Sequence, residues 1–289
     1  MIRFGTAGNP EDFFENGGKS ALEMPGYLKT HSLNAYEYQC TFGIKITPDA
    51  CEILKERAKE NDIFLSVHAP YFTDISSESD EILDKSVELV TECASVADNM
   101  GSSRVIVHMG SAKYITRRLG MEITVKTIGR IINKMKENNL GHITLCPETM
   151  GKFNMMGTYD EVLKLCEIYD ELIPALDFGH INCIMQGGLK SEDDYLYILR
   201  KFEKKLGYDR MKNFHCHFSK IEFTRAGEKE HLTLQNSEYG PEFIHLAKAI
   251  CKMNYEPVII SESQGTQGID ACLMKNIYDR VKNNESSCN

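Results

Sequence analysis

Six side chains able to bind metal or move protons each stand at or just past the end of a short apolar run. His68 follows Phe64-Leu-Ser-Val, His108 follows Val105-Ile-Val, and Glu148 follows Ile143-Thr-Leu-Cys-Pro. Asp177 follows Ile173-Pro-Ala-Leu, His217 comes shortly after Phe214, and Glu262 follows Val258-Ile-Ile-Ser. Imidazole nitrogens and carboxylate oxygens are the common ligands of divalent transition metals and the common general acids and bases. Gathered in one place without a counter-charge, they are costly to keep out of water. A metal centre removes that cost, and this many ligands suits more than one ion. Two further histidines extend the set. His180 lies three residues beyond Asp177, with Gly179 between them to permit a sharp turn. His231 lies in the charged segment Glu228-Lys-Glu-His231 and, taken alone, reads as solvated.

Each residue has a plainer reading. A lone histidine at a strand end is usually hydrogen-bonded beneath a loop, Glu148 could cap a helix or pair with a cation, and Asp177 could make an Asx-turn. The recurrence of one placement at six strand ends favours ligation. His215 shares a strand face with His217, being two residues earlier. It reads as a deeper, hydrogen-bonded core residue. His31, His142 and His245 read as structural.

Groups placed this way need elements that bring strand ends together. Apolar runs between turn signals read as buried strands near residues 2–6, 33–39, 63–67, 103–108, 142–147, 173–177, 213–218 and 256–261. The intervals, about thirty to forty residues, leave room for right-handed helical crossovers. Thr47-Pro48 marks a helix start, and Thr158 with Glu161 has the capping-box spacing. Val162, Leu165, Cys166 and Tyr169 then form one buried helical face. A long helix from about Ser79 presents Leu83, Val87, Val90, Ala94 and Ala97 and stops at Gly101. The charged stretch 190–209 reads as an exposed helix face. The expected fold is α/β, a single (β/α)8 TIM barrel over residues 1–282 with its site at the C-terminal mouth of the strands. Residues 283–289 are expected to be a flexible tail. A doubly wound open sheet competes, but it would concentrate functional groups at its strand-order reversal.

Composition narrows the rest. The formal net charge of -9 argues mildly against a nucleic-acid partner, although two or three divalent cations at one mouth would create a local positive field. No apolar stretch is long enough to span a bilayer, so no membrane partner is expected. Met1-Ile-Arg-Phe-Gly reads as a strand rather than a signal peptide. Ten cysteines without a Cys-x-x-Cys pair suggest free buried thiols in a reducing cytoplasm. The expectation is a cytoplasmic monomer.

The ordered set of His68, His108, Glu148, Asp177-x-x-His180, His217, His231 and Glu262 resembles the endonuclease IV family of abasic-site endonucleases, over essentially the whole chain. The resemblance implies a (β/α)8 barrel holding three zinc ions. By similarity, His68, His108 and Glu148 would hold the first. Glu148, bridging, would share the second with Asp177, His217 and Glu262, and His180 and His231 would bind the third. One departure stands out. The family takes Asp-x-His from the loop after strand seven, where this chain has Lys229-Glu-His231, so Glu228 or Glu230 would have to substitute. The expected complement is therefore two or three zinc ions, with manganese as the alternative at one site. Tyr71 matches a tyrosine of the family's duplex-probing loop, and Phe72 stands where an apolar wedge would unstack the DNA. The implied partner is duplex DNA containing abasic sites. The implied reaction is hydrolysis of the phosphodiester 5′ to the lesion, leaving a 3′-hydroxyl, with Glu148 as the catalytic residue that orients and deprotonates the attacking water. No organic cofactor is implied.

Two other readings share the barrel. A divalent-metal sugar isomerase or epimerase would use only Glu148, Asp177, His217 and Glu262 around one ion, leaving His68, His108 and His231 without a common role. A non-catalytic damage-binding protein would have lost a metal at the altered loop.

Overall fold

The computed structural model describes residues 1–286. The first half of the chain runs β1 (Arg3–Ala7), α1 (Glu11–Glu15), α2 (Met24–Thr30), β2 (Ala35–Gln39), α3 (Pro48–Asn61), β3 (Phe64–His68), α4 (Asp80–Asn99), β4 (Arg104–Val107), α5 (Arg117–Glu137) and β5 (Thr144–Pro147). The second half runs α6 (Tyr159–Ile168), β6 (Ala175–Asp177), α7 (Phe178–Ile184), α8 (Glu192–Leu206), α9 (Tyr208–Lys212), β7 (His215–Phe218), β8 (Lys220–Thr224), β9 (Gly227–Leu232), α10 (Phe243–Met253), β10 (Val258–Ser261) and α11 (Gln267–Ser286).

Eight of these strands form one parallel sheet in the order β5-β4-β3-β2-β1-β10-β7-β6. Its two edges approach through a parallel bridge between Glu148 and Ala175, with the Thr149 N–H donating to the Ala175 carbonyl at 3.0 Å. The result is a nearly closed (β/α)8 barrel. Strands of such a barrel are covered on both faces, which is why they read as unbroken apolar runs. All four residues of β4 are buried. All eight expected strands are present within two residues of the expected bounds.

Local chemistry sets the helix ends. The Thr47 hydroxyl accepts from the Ala50 N–H, and the capping box of Thr158 and Glu161 is complete at the start of α6. Gly101 follows α4 with φ +68°. Four sequence readings need correction. Tyr169 lies just past α6 in extended backbone, where its hydroxyl donates to the Val125 carbonyl at 2.8 Å. The charged stretch that includes α8 is not only an exposed face, because Tyr195, Leu196, Ile198, Leu199 and Phe202 on that helix are buried. Helix α11 continues to Ser286, past the expected start of the tail; residues 287–289 lie outside the described ones. The segment carrying His231 is a hairpin, β8–β9, with a register shift between Glu222 and Phe223. Its outward charges hide the strand signal, and Gly227 turns the chain at φ +100°.

Cys40, Cys51, Cys93, Cys146, Cys166, Cys183 and Cys216 are buried thiols outside any disulfide. Among the described residues no helix is long and apolar enough to cross a membrane.

Candidate metal centre

Strand register places the site. Val107 pairs with Pro147, so His108 and Glu148 leave β4 and β5 side by side. Asp177 and Ile260 both pair with His217, which sets His217 between Asp177 and the end of β10, where Glu262 follows. His68 ends β3. The C-terminal strand ends thus bring all six residues together.

Glu148 is the hub. Its Oε2 lies 3.1 Å from His68 Nε2 and 3.2 Å from His108 Nε2, and its Oε1 lies 3.0 Å from His217 Nδ1 and 3.5 Å from His180 Nδ1. The other ring nitrogens explain these orientations. His68 Nδ1 donates to the Ala69 carbonyl at 2.7 Å, leaving Nε2 to face the site. His180 Nδ1 donates to the Thr149 carbonyl at 2.9 Å and turns Nε2 toward Glu228 Oε2, 3.4 Å away. A histidine that ligates metal through one nitrogen is commonly fixed through the other in this way.

Asp177 serves two ends. Its Oδ1 caps α7, accepting from the His180 N–H at 2.8 Å. Its Oδ2 is buried with no hydrogen bond, its one near partner being His180 Nδ1 at 3.2 Å. Gly179 sits inside α7 rather than at a sharp turn. A Cβ there would lie 2.8 Å from the Ser219 carbonyl oxygen and 2.8 Å from Ile221 Cδ1, so glycine permits α7 to pack on the chain after β7. That packing holds His180 against His231, with ring centroids 5.2 Å apart.

Among the described residues, four groups have ligand atoms lying within 4.8 Å of one another: His68–His108–Glu148; Glu148–Asp177–His217–Glu262; His180–Glu228–His231; and Glu37–His68–His217–Glu262. The first two are the sets named from sequence. The third contains Glu228, one of the two substitutes considered; Glu230 is instead half-exposed, 3.9 Å from Lys229 Nζ. None of the four includes His31, His142 or His245. The buried Asp177 Oδ2, held by no hydrogen bond, and the mixed nitrogen and oxygen donors fit hard-to-borderline divalent cations such as zinc or manganese.

Electrostatics follow from this crowding. Burial opposes charge on Glu148, yet His217, His108 and His180 hold its carboxyl well below the usual carboxylate range. Burial likewise opposes charge on His68, but Glu148 holds it up at about 9. His217 and His180 stand well above the ordinary histidine value, because Glu262, Glu37 and Glu148 around the one and Asp177, Glu148 and Glu228 around the other outweigh burial. Burial pushes Glu262 up to about 8, opposed by His217 and reinforced by Glu148 and Asp177. Glu228 falls to about 2, its burial outweighed by His180, His231 and Lys152. Without metal, imidazolium protons balance the carboxylates. A divalent cation would take that place and release them.

A cavity of about 510 Å³ opens above the cluster, lined by His68, His108, Glu148, His180, Glu228, His231 and Glu262. Asp177 and His217 are fully buried. Tyr71 and Phe72 stand at the rim, 55% and 53% exposed, rather than packing under a loop. Their rings meet edge to face at 5.7 Å, and Phe42 meets Tyr71 at 5.8 Å. Sequence reasoning missed Glu37, a fully buried carboxylate on β2 between two tyrosines. Its one sequence signal is a carboxylate at mid-strand in a barrel whose strands are covered on both sides.

Residues 26–278 match the model of a family described as the xylose isomerase-like TIM barrel. The chain belongs to that family. It is 30% identical over 284 residues to the uncharacterized protein MJ0133 of Methanocaldococcus jannaschii, covering 97% of this chain and 98% of the other. It is 29% identical over 160 residues to the probable endonuclease 4 of Enterococcus faecalis, a match spanning 53% of this chain and 51% of that one. The second of these matches supports the resemblance to endonuclease IV. Among solved structures, endonuclease IV from Thermus thermophilus superposes with a TM-score of 0.66 at 15% identity, covering 93% of this chain and 96% of that one. A D-tagatose 3-epimerase-like protein superposes with a TM-score of 0.68 at 18% identity, covering 90% and 94%. At those identities the superpositions speak for the fold alone.

Proposed function

We propose that the protein is a metal-dependent abasic-site endonuclease, hydrolysing the phosphodiester 5′ to the lesion in duplex DNA and leaving a 3′-hydroxyl. The observation that carries the reading is Glu148 at the junction of two ligand sets, with a third set, His180, Glu228 and His231, opening on the same cavity. A single-ion site would leave His68, His108 and His231 without work.

In this reading His68, His108 and Glu148 would hold one cation, Glu148, Asp177, His217 and Glu262 a second, and His180, Glu228 and His231 a third; when bound, divalent cations would supply acidified water and charge neutralisation at a phosphate. The chain supplies the rest. Glu148 orients the attacking water and takes its proton. Tyr71 and Phe72, exposed at the rim, stack on bases and keep a kinked duplex open while the abasic nucleotide enters the cavity. Lys152, also lining the cavity, offers a cation to the phosphate backbone.

A second reading draws on the epimerase-like fold neighbour and on the quartet Glu148, Asp177, His217 and Glu262, which would serve a one-metal sugar epimerase. Metal content separates the two. Protein equilibrated with zinc and manganese, dialysed and assayed by elemental mass spectrometry, is expected to retain two or three ions per chain. One ion per chain would favour the epimerase. The damage-binding reading loses ground because Glu228 completes the third set that the altered loop had left short.

A further inference from the structure

Glu37 lies beneath the proposed ligand sets and has no part in the chemistry above. Its pairing partners on the neighbouring strands are Ala7 and Ser66, so its side chain enters the barrel interior between β1 and β3. Both oxygens are occupied. The Ser66 hydroxyl and His215 Nε2 each donate to Oε2 at 2.9 Å. The Gln39 side-chain amide donates to Oε1 at 3.0 Å, and His217 Nε2 lies 2.9 Å from that same oxygen as an ion-pair contact rather than an aligned hydrogen bond. A carboxylate has about four acceptor positions, and here three hydrogen bonds and the His217 ion-pair contact take them up. That leaves little for a cation, although one Glu37 oxygen lies within 4.8 Å of ligand atoms of His68, His217 and Glu262. His217, by contrast, turns its other nitrogen, Nδ1, toward Glu148 Oε1 at 3.0 Å and Glu262 Oε1 at 3.3 Å.

We propose that Glu37 is a positioning residue of the metal centre. It holds the Nε2 edge of His217 and so presents Nδ1, unprotonated, to the cation shared with Glu148, Asp177 and Glu262. His215, Ser66 and Gln39 fix Glu37 in turn, so that β2, β3 and β7 set the plane of one imidazole. This rests on the metal-centre reading. His215 acquires a role as well: the deep core histidine braces Glu37.

The test uses the whole chain, stripped with a chelator and titrated with zinc alone, as wild type, Glu37→Asp and Glu37→Gln, with circular dichroism reporting the fold. Aspartate keeps the charge but withdraws both oxygens by one methylene. Glutamine loses the charge but keeps an acceptor oxygen at full reach. A positioning role predicts that Glu37→Asp binds zinc roughly 10- to 100-fold more weakly, the range found for lost outer partners of metal ligands. Glu37→Gln keeps one acceptor at full reach but sets an NH2 against two of the donors, and is expected to fall between wild type and Glu37→Asp. The reverse order, or one fewer zinc bound by Glu37→Gln, would make Glu37 a charge source or a ligand and overturn the proposal, as would unchanged affinity in both. Should the variants not fold, zinc-loaded wild type carrying ¹⁵N-histidine supplies the answer. A slowly exchanging proton on His217 Nε2 is expected, and a proton on Nδ1 contradicts the proposal. A wild type that binds no zinc would instead remove the metal-centre reading underneath it.

Discussion

Glu148 touches four imidazoles, and its surroundings give two outcomes at the scale of single residues. Glu148→Gln removes a negative charge and an acceptor while keeping shape. It is expected to abolish turnover while circular dichroism shows the fold retained, with a lower melting temperature because the imidazoles lose a buried counter-charge. Wild-type turnover in that variant would pass the proton-accepting role to Glu262, the other carboxylate of the bridging set that lines the cavity. The second outcome concerns pH. His68 is raised from 6.5 to about 9, so its protonated pairing stabilises the metal-free fold below pH 6.5 and is lost as pH rises through about 9. Glu262, raised to about 8, changes in the same sense, because the folded chain binds its proton more tightly than the unfolded chain does. The melting temperature of metal-free protein should therefore fall between pH 6.5 and 9, while that of zinc-loaded protein should not follow, since its ligands have already released their protons. Seven of the residues in these clusters were legible because each ends or follows an apolar run or shares a motif with one that does; His231 reads as solvated on its own and enters only through the family resemblance. Glu37 was not, since a polar residue in mid-strand ordinarily faces water, and only closure of the barrel turns it inward.

The eight barrel strands were legible as elements because burial on both faces leaves continuous apolar runs. The hairpin after β7 was not, because charged residues punctuate both strands; Glu228 is legible only as one of two substitutes, and the structure is what selects it over Glu230. Across β8–β9, Ile221 pairs with His231 and Phe223 with Glu228, so the hairpin brings Glu228 and His231 to His180 together. The loop after β3 has the opposite character. It holds Tyr71 and Phe72 at the rim with half their surface exposed, which nothing in the core requires. Phe72→Ala is accordingly expected to leave zinc content and melting temperature unchanged. It should weaken binding of a duplex containing an abasic site by roughly 1–3 kcal/mol, the range for lost base stacking, in a gel-shift or anisotropy titration. Equal affinity would assign Phe72 no part in holding the duplex.

Considered whole, the molecule carries a formal net charge of -9, yet its deepest cluster of carboxylates and imidazoles opens on one cavity at the strand ends. The barrel explains how residues as distant in sequence as His68 and Glu262 come to share it. The fold is common to the epimerase-like and endonuclease IV structures, so the barrel alone does not choose a reaction. The most direct measurement is incision of a duplex bearing one reduced abasic-site analogue, whose sugar cannot undergo β-elimination, before and after chelation. The account predicts a cut on the 5′ side of the analogue, lost with chelator and restored by zinc or manganese. An intact duplex after incubation with folded, metal-loaded protein would contradict it.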